Sequence, residues 1–582
     1  MRKRIMTFEK LKNRLNCSNT FVKSFVGISI LWLVCCTGLL IPSLRNLIIL
    51  FGEYLIHRPL NHPVWHGRFI PLGISGIVLY LLFFAVFFHS NFLSRFISGK
   101  KSLIFLTVVM IFFVFIIMFR ANWVFGDDHE YITTTAINKY VPISPYLSGG
   151  RFFPFGHIHY NLPLFIFRLL GINTGLPVEA HFTIISIFCI VTFLCLYLLL
   201  KKTKPLENNA YSVFDLFFVI SFFLLGSSFS SVFLSLIYPE AQVIMLFSVF
   251  MLMYYKALET DRVKYYVAAL LAAIYSSYCK EPVFGAFLVI ALGNQIFKYS
   301  KKTKRESIFY TSLIANAIIF IVLYYFLSFK NTLGFYGTGL LSLGMFRFLL
   351  QVMVGNPIII IMFAFCLIRI YFTLFKKDRE HLYYDTLLFA GVAYICAYFF
   401  LGFTSAYYFL PSIILFLPSL VYWVKYLYVK RTVFSLCLFF ILIPIYAFDL
   451  GYTKTPIKDI YESRQEFIPY VADLLYEYNS GKEFVWYESD NIISDYTHWI
   501  AVRSWRKHVE NAFLNYLNKT EEQEFFTVKK GIEDIDMSQN LLFFYPIDND
   551  QYQPMSNEVV TALQDNGFEL YKDSYGVLIY KK

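Results

Sequence analysis

Thirteen apolar stretches of roughly membrane-spanning length fill most of the first 450 residues, and they limit this chain to one class of fold. A helix needs about 20 apolar residues to cross a bilayer, and its backbone polar groups must be satisfied within the segment. The chain is 57% hydrophobic and 20% aromatic, well above the proportion in soluble proteins. We therefore predict an α-helical polytopic membrane protein with about 13 transmembrane helices, within a range of 11–13. The predicted spans centre on residues 25–41, 70–88, 103–119, 182–200, 214–237, 241–255, 263–278, 283–297, 308–329, 357–375, 383–403, 407–424 and 433–448.

The basic residues predict how these spans are oriented. Lys and Arg are retained in cytoplasmic loops. The clusters that begin at Lys201, Lys301 and Lys376 all fall on the same side as the basic N-terminal segment 1–24. We predict that this side is cytoplasmic, that residues 25–450 form the transmembrane domain with a large outer loop at 120–181, and that the chain after residue 450 lies outside.

Residues 451–582 have a different composition, with 13 basic and 22 acidic residues in a chain whose overall net charge is +12. Their patterning predicts helices at 459–478, 491–502 and 556–564, strands at 483–488 and 541–545, and a hairpin-like end. We predict a small extracytoplasmic α/β domain. Its acidic balance makes nucleic acid an unsuitable partner.

Several enzyme classes are not supported by any motif in the sequence. There is no HExxH, GxSxG or GxxxxGK[ST] pattern, which argues against a zinc protease, an esterase and a self-contained nucleotide pump. The nine cysteines form no CxxC pair and are interpreted as apolar filler.

The first candidate site is the acidic stretch at the start of the large outer loop. Asp127, Asp128 and Glu130 follow directly on the predicted span 103–119. Carboxylates at that depth are costly, so a functional role is the first hypothesis. Helix capping is the alternative for one of the two aspartates, because a carboxylate accepts hydrogen bonds from the free N–H groups of a following helix.

Further along this loop, Arg151, His157 and His159 are the basic side chains of residues 144–163. The Pro, Gly and aromatic content predicts an irregular segment at the interface without a regular helix. Arg151 could meet lipid phosphate nonspecifically or clamp a bound phosphate with its planar fork. The two histidines could instead ligate a metal together with the acids.

Two short outer turns supply the remaining candidates. Glu240 follows Pro239, and Lys280 and Glu281 precede Pro282. Capping by the helix N-terminal field would account for both glutamates. Lys280 is on the side that is poor in basic residues, and it could neutralise Glu281 or bind an anionic ligand.

Outer acids after a span, charged outer turns and a soluble outer C-terminal domain together resemble the GT-C superfamily of integral-membrane glycosyltransferases. The layout is similar to that of protein O-mannosyltransferases and lipid A aminoarabinose transferases, and Asp127 and Asp128 carry the local motif. The resemblance implies transfer of a sugar, usually with inversion, from a polyprenyl-phosphate-linked donor to an acceptor on the outer face. It implies an Asp of the first large loop as the base or as an acceptor-binding group.

On that resemblance we expect Asp127 or Asp128 to act as the base, with Glu240 orienting the acceptor or a metal and with Lys280 and Arg151 on the phosphate. Expected partners are the polyprenyl-phosphate-sugar donor, a glycan, lipid or protein acceptor, and membrane lipids. A divalent cation, Mg²⁺ or Mn²⁺, is left open as a cofactor, and the bacterial plasma membrane is the preferred location.

Two alternative functions remain at this point. A flippase or exporter of lipid-linked saccharide should carry charged residues deep within several spans. The predicted spans are nearly free of charged residues, and Asp215 and Arg369 are the few exceptions. A polysaccharide polymerase or ligase should have an arginine-rich outer loop, whereas the only basic residues in the outer segment 328–350 are Lys330 and Arg347.

Overall fold

The fold is known from a computed structural model of the full chain. The structure describes residues 30–31, 33–56, 69–70, 73–74, 76–77, 135, 138–141, 151–172, 178–203, 232–233, 238–298, 302–328, 330, 357–401, 406–430, 484–488, 526–530, 541–545, 557–574 and 577–582. Its helices are Pro42–Ile56 (α1), Ile158–Leu169 (α2), Val178–Lys202 (α3), Tyr238–Thr260 (α4), Val263–Ser277 (α5), Val283–Phe297 (α6), Lys304–Leu327 (α7), Pro357–Leu374 (α8), Leu382–Leu401 (α9), Leu410–Lys430 (α10) and Asn557–Asp565 (α11). A short 3₁₀ helix, Ala406–Tyr408, precedes α10.

Four of the described helices are long and apolar enough to cross a membrane. They contain the segments Ala180–Lys202, Pro239–Thr260, Lys304–Leu327 and Leu382–Phe399. At about 1.5 Å per residue, the 24 residues of α7 exceed the roughly 30 Å of a bilayer's hydrocarbon core. Ile308, Ile318 and Ile319 of this helix are each more than half exposed, as expected of a surface that faces lipid. The chain is an integral membrane protein.

Two groups of ion pairs mark the two ends of this helical bundle. Lys202 at the end of α3 contacts Glu259 near the end of α4, so these two packed helices run in the same direction. Glu240 at the start of α4 contacts Lys280, which follows α5, so α4 and α5 are antiparallel. We call the end that holds Lys280 the Lys280 end, which is the side predicted to be outside.

The opposite end is tied together around Arg369 of α8, and we call it the Arg369 end. The guanidinium forms a fork with Asp385 of α9, at 2.7 and 2.8 Å, and contacts Asp378 of the intervening turn at 3.0 Å. It also lies 4.1 Å from the ring centroid of Trp423 on α10. At the same end, Lys425 donates a hydrogen bond to the carbonyl of Leu200 at 2.9 Å. These contacts fix α3, α8, α9 and α10 to one another.

Aromatic packing fills the centre of the bundle. Phe250 and Tyr254 of α4 are fully buried and contact Phe287 of α6 and Phe309 of α7. The hydroxyls of Tyr254 and Tyr310 share a hydrogen bond of 2.9 Å, which satisfies two polar groups that would be costly to bury alone.

The C-terminal part of the chain contains a five-stranded sheet. Its strands are Phe484–Glu488 (β1), Phe526–Lys530 (β2), Leu541–Tyr545 (β3), Glu569–Ser574 (β4) and Val577–Lys581 (β5). They are arranged in the order β2-β1-β3-β5-β4, with β1 parallel to both β2 and β3 and with β5 antiparallel to β3 and β4. The predicted strands at 483–488 and 541–545, the helix near 556–564 and the terminal hairpin are confirmed. Strand β2 was not predicted, and the predicted helices at 459–478 and 491–502 lie outside the described residues.

The predicted span 182–200 and the seven predicted spans from 241–255 to 407–424 each match a helix of the structure. The spans at 103–119 and 433–448, most of those at 70–88 and 214–237, and the N-terminal segment 1–24 lie outside the described residues. The structure also has a helix that was not predicted, α1, directly after the first apolar segment.

The prediction that residues 144–163 contain no regular helix is wrong, because α2 begins at Ile158 and includes Pro163. Pro163 lies past the first turn of α2, so the helix loses the hydrogen bond to the carbonyl of His159, and the proline ring crowds that carbonyl. Burial of Tyr160 and Leu164 on one face compensates for that loss.

Candidate functional site

The α5–α6 turn positions two of the predicted site residues at the Lys280 end. Helix α5 ends at Ser277, and Pro282 is the N-cap of α6. The backbone N–H of Val283 donates to the carbonyl of Lys280 at 3.2 Å, which closes the turn. Adjacent residues in so short a turn point in different directions, so Lys280 and Glu281 have separate partners.

Lys280 pairs with Glu240, not with Glu281, which corrects the prediction that it neutralises its neighbour. Its Nζ lies 2.6 Å from Oε1 of Glu240. Glu240 is in the first turn of α4 and is fully buried, and the Lys280 side chain is 8% exposed. This ammonium group occupies Oε1, and Oε2 of Glu240 has no hydrogen-bond donor among the described residues. A buried carboxylate with unused acceptor positions can bind a ligand's hydroxyl or ammonium group.

Glu281 pairs with Arg151. Its Oε1 accepts from Nε of Arg151 at 2.7 Å and from the backbone N–H of Phe152 at 3.2 Å, and its Oε2 accepts from Nη2 of Arg151 at 3.4 Å. The two side chains are 20% and 15% exposed. Such a planar fork is the strong, directional form of a charge-assisted hydrogen bond.

The ion pairs shift the pKa values of Lys280 and Glu281 in the direction that favours their charged forms. Burial alone lowers the pKa of Lys280, but the charge of Glu240, helped by Tyr408 and Glu281, outweighs burial and holds that pKa above its ordinary value. Burial alone raises the pKa of Glu281, but the charge and hydrogen bonds of Arg151 and the charge of Lys280 hold it below its ordinary value. We call these four residues, Arg151, Glu240, Lys280 and Glu281, the charge cluster.

Residues 151–157 lie directly on the α5–α6 turn and hold Arg151 there. The backbone N–H of Phe155 donates to the carbonyl of Tyr278 at 2.9 Å. The ring of Phe153 lies 5.0 Å from the guanidinium of Arg151 and 5.7 Å from Nζ of Lys280. An aromatic face stabilises both cations and excludes water from them.

Gly156 is required for this close approach. A Cβ at this position would lie 2.8 Å from the carbonyl oxygen of Cys279 and 2.8 Å from the ring of Phe153. We expect Gly156→Ala to lower the free energy of unfolding by about 1–3 kcal/mol, because the loop must move off the turn. Thermal unfolding of the purified protein measures this loss.

Gly285→Ala is the matched control, since a Cβ at Gly285 in α6 meets no atom within 4 Å. This substitution should stabilise the helix by about 0.5–1 kcal/mol. Equal unfolding temperatures for the two variants would show that the loop does not pack as described.

The two histidines of this loop are placed differently. His157 precedes α2, and its ring lies 5.0 Å from that of Phe153 and 5.9 Å from that of Tyr160. His159 contacts Phe188 of α3, with ring centroids 4.8 Å apart. Within the described part of the chain, no group of three or more His, Cys, Asp or Glu residues could hold a metal ion. The hypothesis that His157 and His159 ligate Mg²⁺ or Mn²⁺ together with Asp127 and Asp128 stays a prediction, because those aspartates lie outside the described residues.

His157 should make the protein sensitive to acid. Burial, together with the charges of Lys280 and Arg151, lowers the pKa of His157 from 6.5 to about 3. Between these two values the unfolded chain binds a proton that the folded chain does not, so stability falls as the pH drops through this window and is unaffected above it. At pH 5 the loss should be about 2 kcal/mol.

The measurement is the unfolding temperature at pH 7 and at pH 5, for the wild type and for His157→Gln. The variant should lose less stability on acidification, since glutamine does not titrate. The same loss in both proteins would contradict the assignment.

Asp127, Asp128 and Glu130 lie outside the described residues, and Thr135 and Asn138 are the first described residues after them that show contacts. Thr135 shares a buried hydrogen bond of 3.0 Å with Nε2 of His181 on α3. The guanidinium of Arg168 donates to the side chain of Asn138 at 3.1 and 3.2 Å. These contacts hold Thr135 against α3 and Asn138 against α2.

Sequence reasoning did not identify Tyr408 as part of the site. Its ring centroid lies 5.2 Å from Nζ of Lys280, and its ring stacks on that of Tyr398 at 4.4 Å. Tyr394, Tyr398 and Tyr408 all lie within electrostatic range of Glu240. The spacing of the tyrosines in 383–408 does not distinguish them from the many other aromatic residues of the chain. Only the fold shows which of them surround the charge cluster.

Comparisons with known proteins give no family assignment. No family model and no curated protein matches the sequence. The arrangement of helices is similar to that of ArnT from Cupriavidus metallidurans bound to undecaprenyl phosphate, with 10% identity, a TM-score of 0.41, and coverage of 83% of this chain and 98% of that chain. It is also similar to the archaeal oligosaccharyltransferase AglB from Archaeoglobus fulgidus in complex with an inhibitory peptide and a dolichol-phosphate, with 11% identity, a TM-score of 0.33, and coverage of 77% and 70%. Likeness at this level does not determine what this chain does.

Proposed function

We propose that this chain is an integral-membrane glycosyltransferase of the GT-C type. It transfers a sugar from a polyprenyl-phosphate-linked donor to an acceptor on the outer face, in a single displacement with inversion. The preferred location is a bacterial plasma membrane, with the N-terminus inside and the acidic domain at 451–582 outside.

The observation that carries this proposal is the charge cluster. Burying an ion pair costs several kcal/mol per ion, and a well-packed apolar pair would be as stable or more stable. Four charged side chains that lie together and largely buried at the Lys280 end are therefore better explained by function than by stability. Their composition, two cations beside two carboxylates, suits a ligand with an anionic group next to hydroxyl groups.

Lys280 and Arg151 would hold the phosphate of the donor. A polyprenyl phosphate already leaves readily, and its departure needs positive charge and N–H donors near the phosphate oxygens. Arg151 offers a planar fork, and Lys280 offers a compact charge next to the aromatic rings of Phe153 and Tyr408.

Glu240 would orient the acceptor or the sugar. It is fully buried, and its Oε2 receives no hydrogen bond from the described residues. A hydroxyl group of the sugar or of the acceptor fits this position, because it can donate a hydrogen bond to the carboxylate without adding another buried charge.

Asp127 or Asp128 would act as the base, with Glu130 beside them binding substrate. The acceptor hydroxyl loses its proton to the carboxylate, and its oxygen forms a bond to the anomeric carbon. The bond from that carbon to the phosphate oxygen breaks, and the polyprenyl phosphate leaves with the electron pair. Base assistance of this kind is worth roughly 10²- to 10⁴-fold.

The test is a transfer assay with the full-length protein in nanodiscs. Polyprenyl phosphates carrying different radiolabelled sugars are mixed with glycan, lipid and peptide acceptors, and label is followed into the acceptor. Label in an acceptor, with release of polyprenyl phosphate, supports the proposal. Movement of labelled lipid across the bilayer without transfer would establish a flippase instead, and growth of a long glycan chain would establish a polymerase.

A further inference from the structure

The carboxylate of Glu281 occupies a position built for an anion. Nε and Nη2 of Arg151 and the backbone N–H of Phe152 all converge on it, at 2.7, 3.4 and 3.2 Å. Guanidinium forks and backbone N–H groups are also the donors that proteins use to bind phosphate oxygens. Glu281 therefore uses the same donors that a donor lipid's phosphate would require.

The charges of the cluster lead to the same conclusion. Lys280 is matched by Glu240, and Arg151 is matched by Glu281. In this arrangement both cations are already neutralised by carboxylates. A bound phosphate would therefore add negative charge next to the two carboxylates. One carboxylate must give up its partner before the phosphate can bind, since like charges in a poorly hydrated site repel strongly.

Glu281 is the residue able to move. It lies in a turn between helices and its side chain is 15% exposed, so it can rotate towards water. Glu240 is fully buried within the first turn of α4 and has no such path.

We propose that Glu281 is an internal competitor for the donor's phosphate: its carboxylate holds Arg151 and the Phe152 N–H in the resting protein and is displaced when the lipid phosphate binds. This inference rests on the proposed function, because it concerns regulation of the same site. Glu281 keeps the partly buried guanidinium of Arg151 paired when no lipid is bound, and by competing it also favours release of the product polyprenyl phosphate.

The test compares the wild type with Glu281→Gln in binding undecaprenyl phosphate, measured by calorimetry on the full-length protein in detergent. Glutamine keeps the shape and still accepts from Arg151 but has no charge. The variant should bind about tenfold more tightly. In a transfer assay its KM for donor should fall together with its kcat, because product leaves more slowly.

Three controls separate displacement from a general charge effect. Glu259→Gln removes one carboxylate from an exposed pair at the Arg369 end and should leave the affinity unchanged. The gain in Glu281→Gln should persist at about 0.5 M salt, where interactions between exposed charges are screened. It should disappear in the double variant Arg151→Gln/Glu281→Gln.

Weaker or unchanged binding by Glu281→Gln would overturn the inference and leave the proposed function intact, since Glu281 would then serve only to position Arg151. An equal gain in Glu259→Gln would also overturn it. Absence of saturable binding in the wild type and in every variant would overturn both the inference and the proposed function.

Discussion

Replacing Lys280 by methionine should lower the free energy of unfolding by about 3–5 kcal/mol, the cost of leaving a buried charge without its partner. Glu240, the partner, is fully buried, so its carboxylate has no water to replace the ammonium group. Methionine has a similar length to lysine, so the loss is electrostatic more than steric. Thermal unfolding in detergent, with intrinsic fluorescence as the signal, measures the effect.

The double variant Glu240→Gln/Lys280→Met separates stability from function. It removes both charges, so most of the lost stability should return. Transfer should remain about 10²- to 10³-fold below the wild type, because the donor's phosphate has lost a cation in a poorly hydrated site. Recovery of transfer along with stability would show that the pair is only structural, and Lys280 would then have no part in binding phosphate.

Replacing either Asp127 or Asp128 by asparagine should identify the base. Asparagine has the same shape but takes up no proton, so the variant of the catalytic residue should lose roughly 10²- to 10⁴-fold in transfer rate. Its affinity for the donor should change little, because the phosphate is bound elsewhere in the site. Single-turnover transfer with the labelled donor measures the rate of the chemical step.

Asp261→Asn is the matched control for these two variants. Asp261 lies in a turn at the Arg369 end with a φ of 48°, a conformation that asparagine also adopts readily. Its transfer rate should equal that of the wild type. Full activity in both Asp127→Asn and Asp128→Asn would remove the acidic stretch from the mechanism.

The helices of the bundle could largely be predicted from the sequence, whereas the pairing of charges could not. An apolar run such as 283–297 predicts its own helix, because hydrocarbon leaves the backbone few other conformations. The pairing of Lys280 with Glu240 depends on how α4 packs against α5, whereas the sequence offered only the adjacent Glu281 or an anionic ligand as its partner. The fork between Arg369 and Asp385 likewise depends on the packing of α8 against α9.

Within the candidate site, the sequence identified Arg151, Glu240, Lys280 and Glu281, all of which the structure brings together in two ion pairs. Charged residues in short turns between spans are conspicuous, because few polar residues surround them. Phe153 and Tyr408 could not be distinguished from the many other aromatic residues, since their contacts arise from the fold.

The contacts around Arg369 bear on how substrate can reach this protein. A carrier that delivers cargo across a membrane exposes one binding site alternately to each side, so both ends of its bundle must open. Here the Arg369–Asp385 fork, the Arg369–Asp378 contact and the bonds from Lys425 to the end of α3 join four helices at the end away from the charge cluster. Opening that end would break all of them at once. Under the proposed function, the lipid substrate would therefore arrive and depart on the side where Lys280 lies, and the Arg369 end would stay closed.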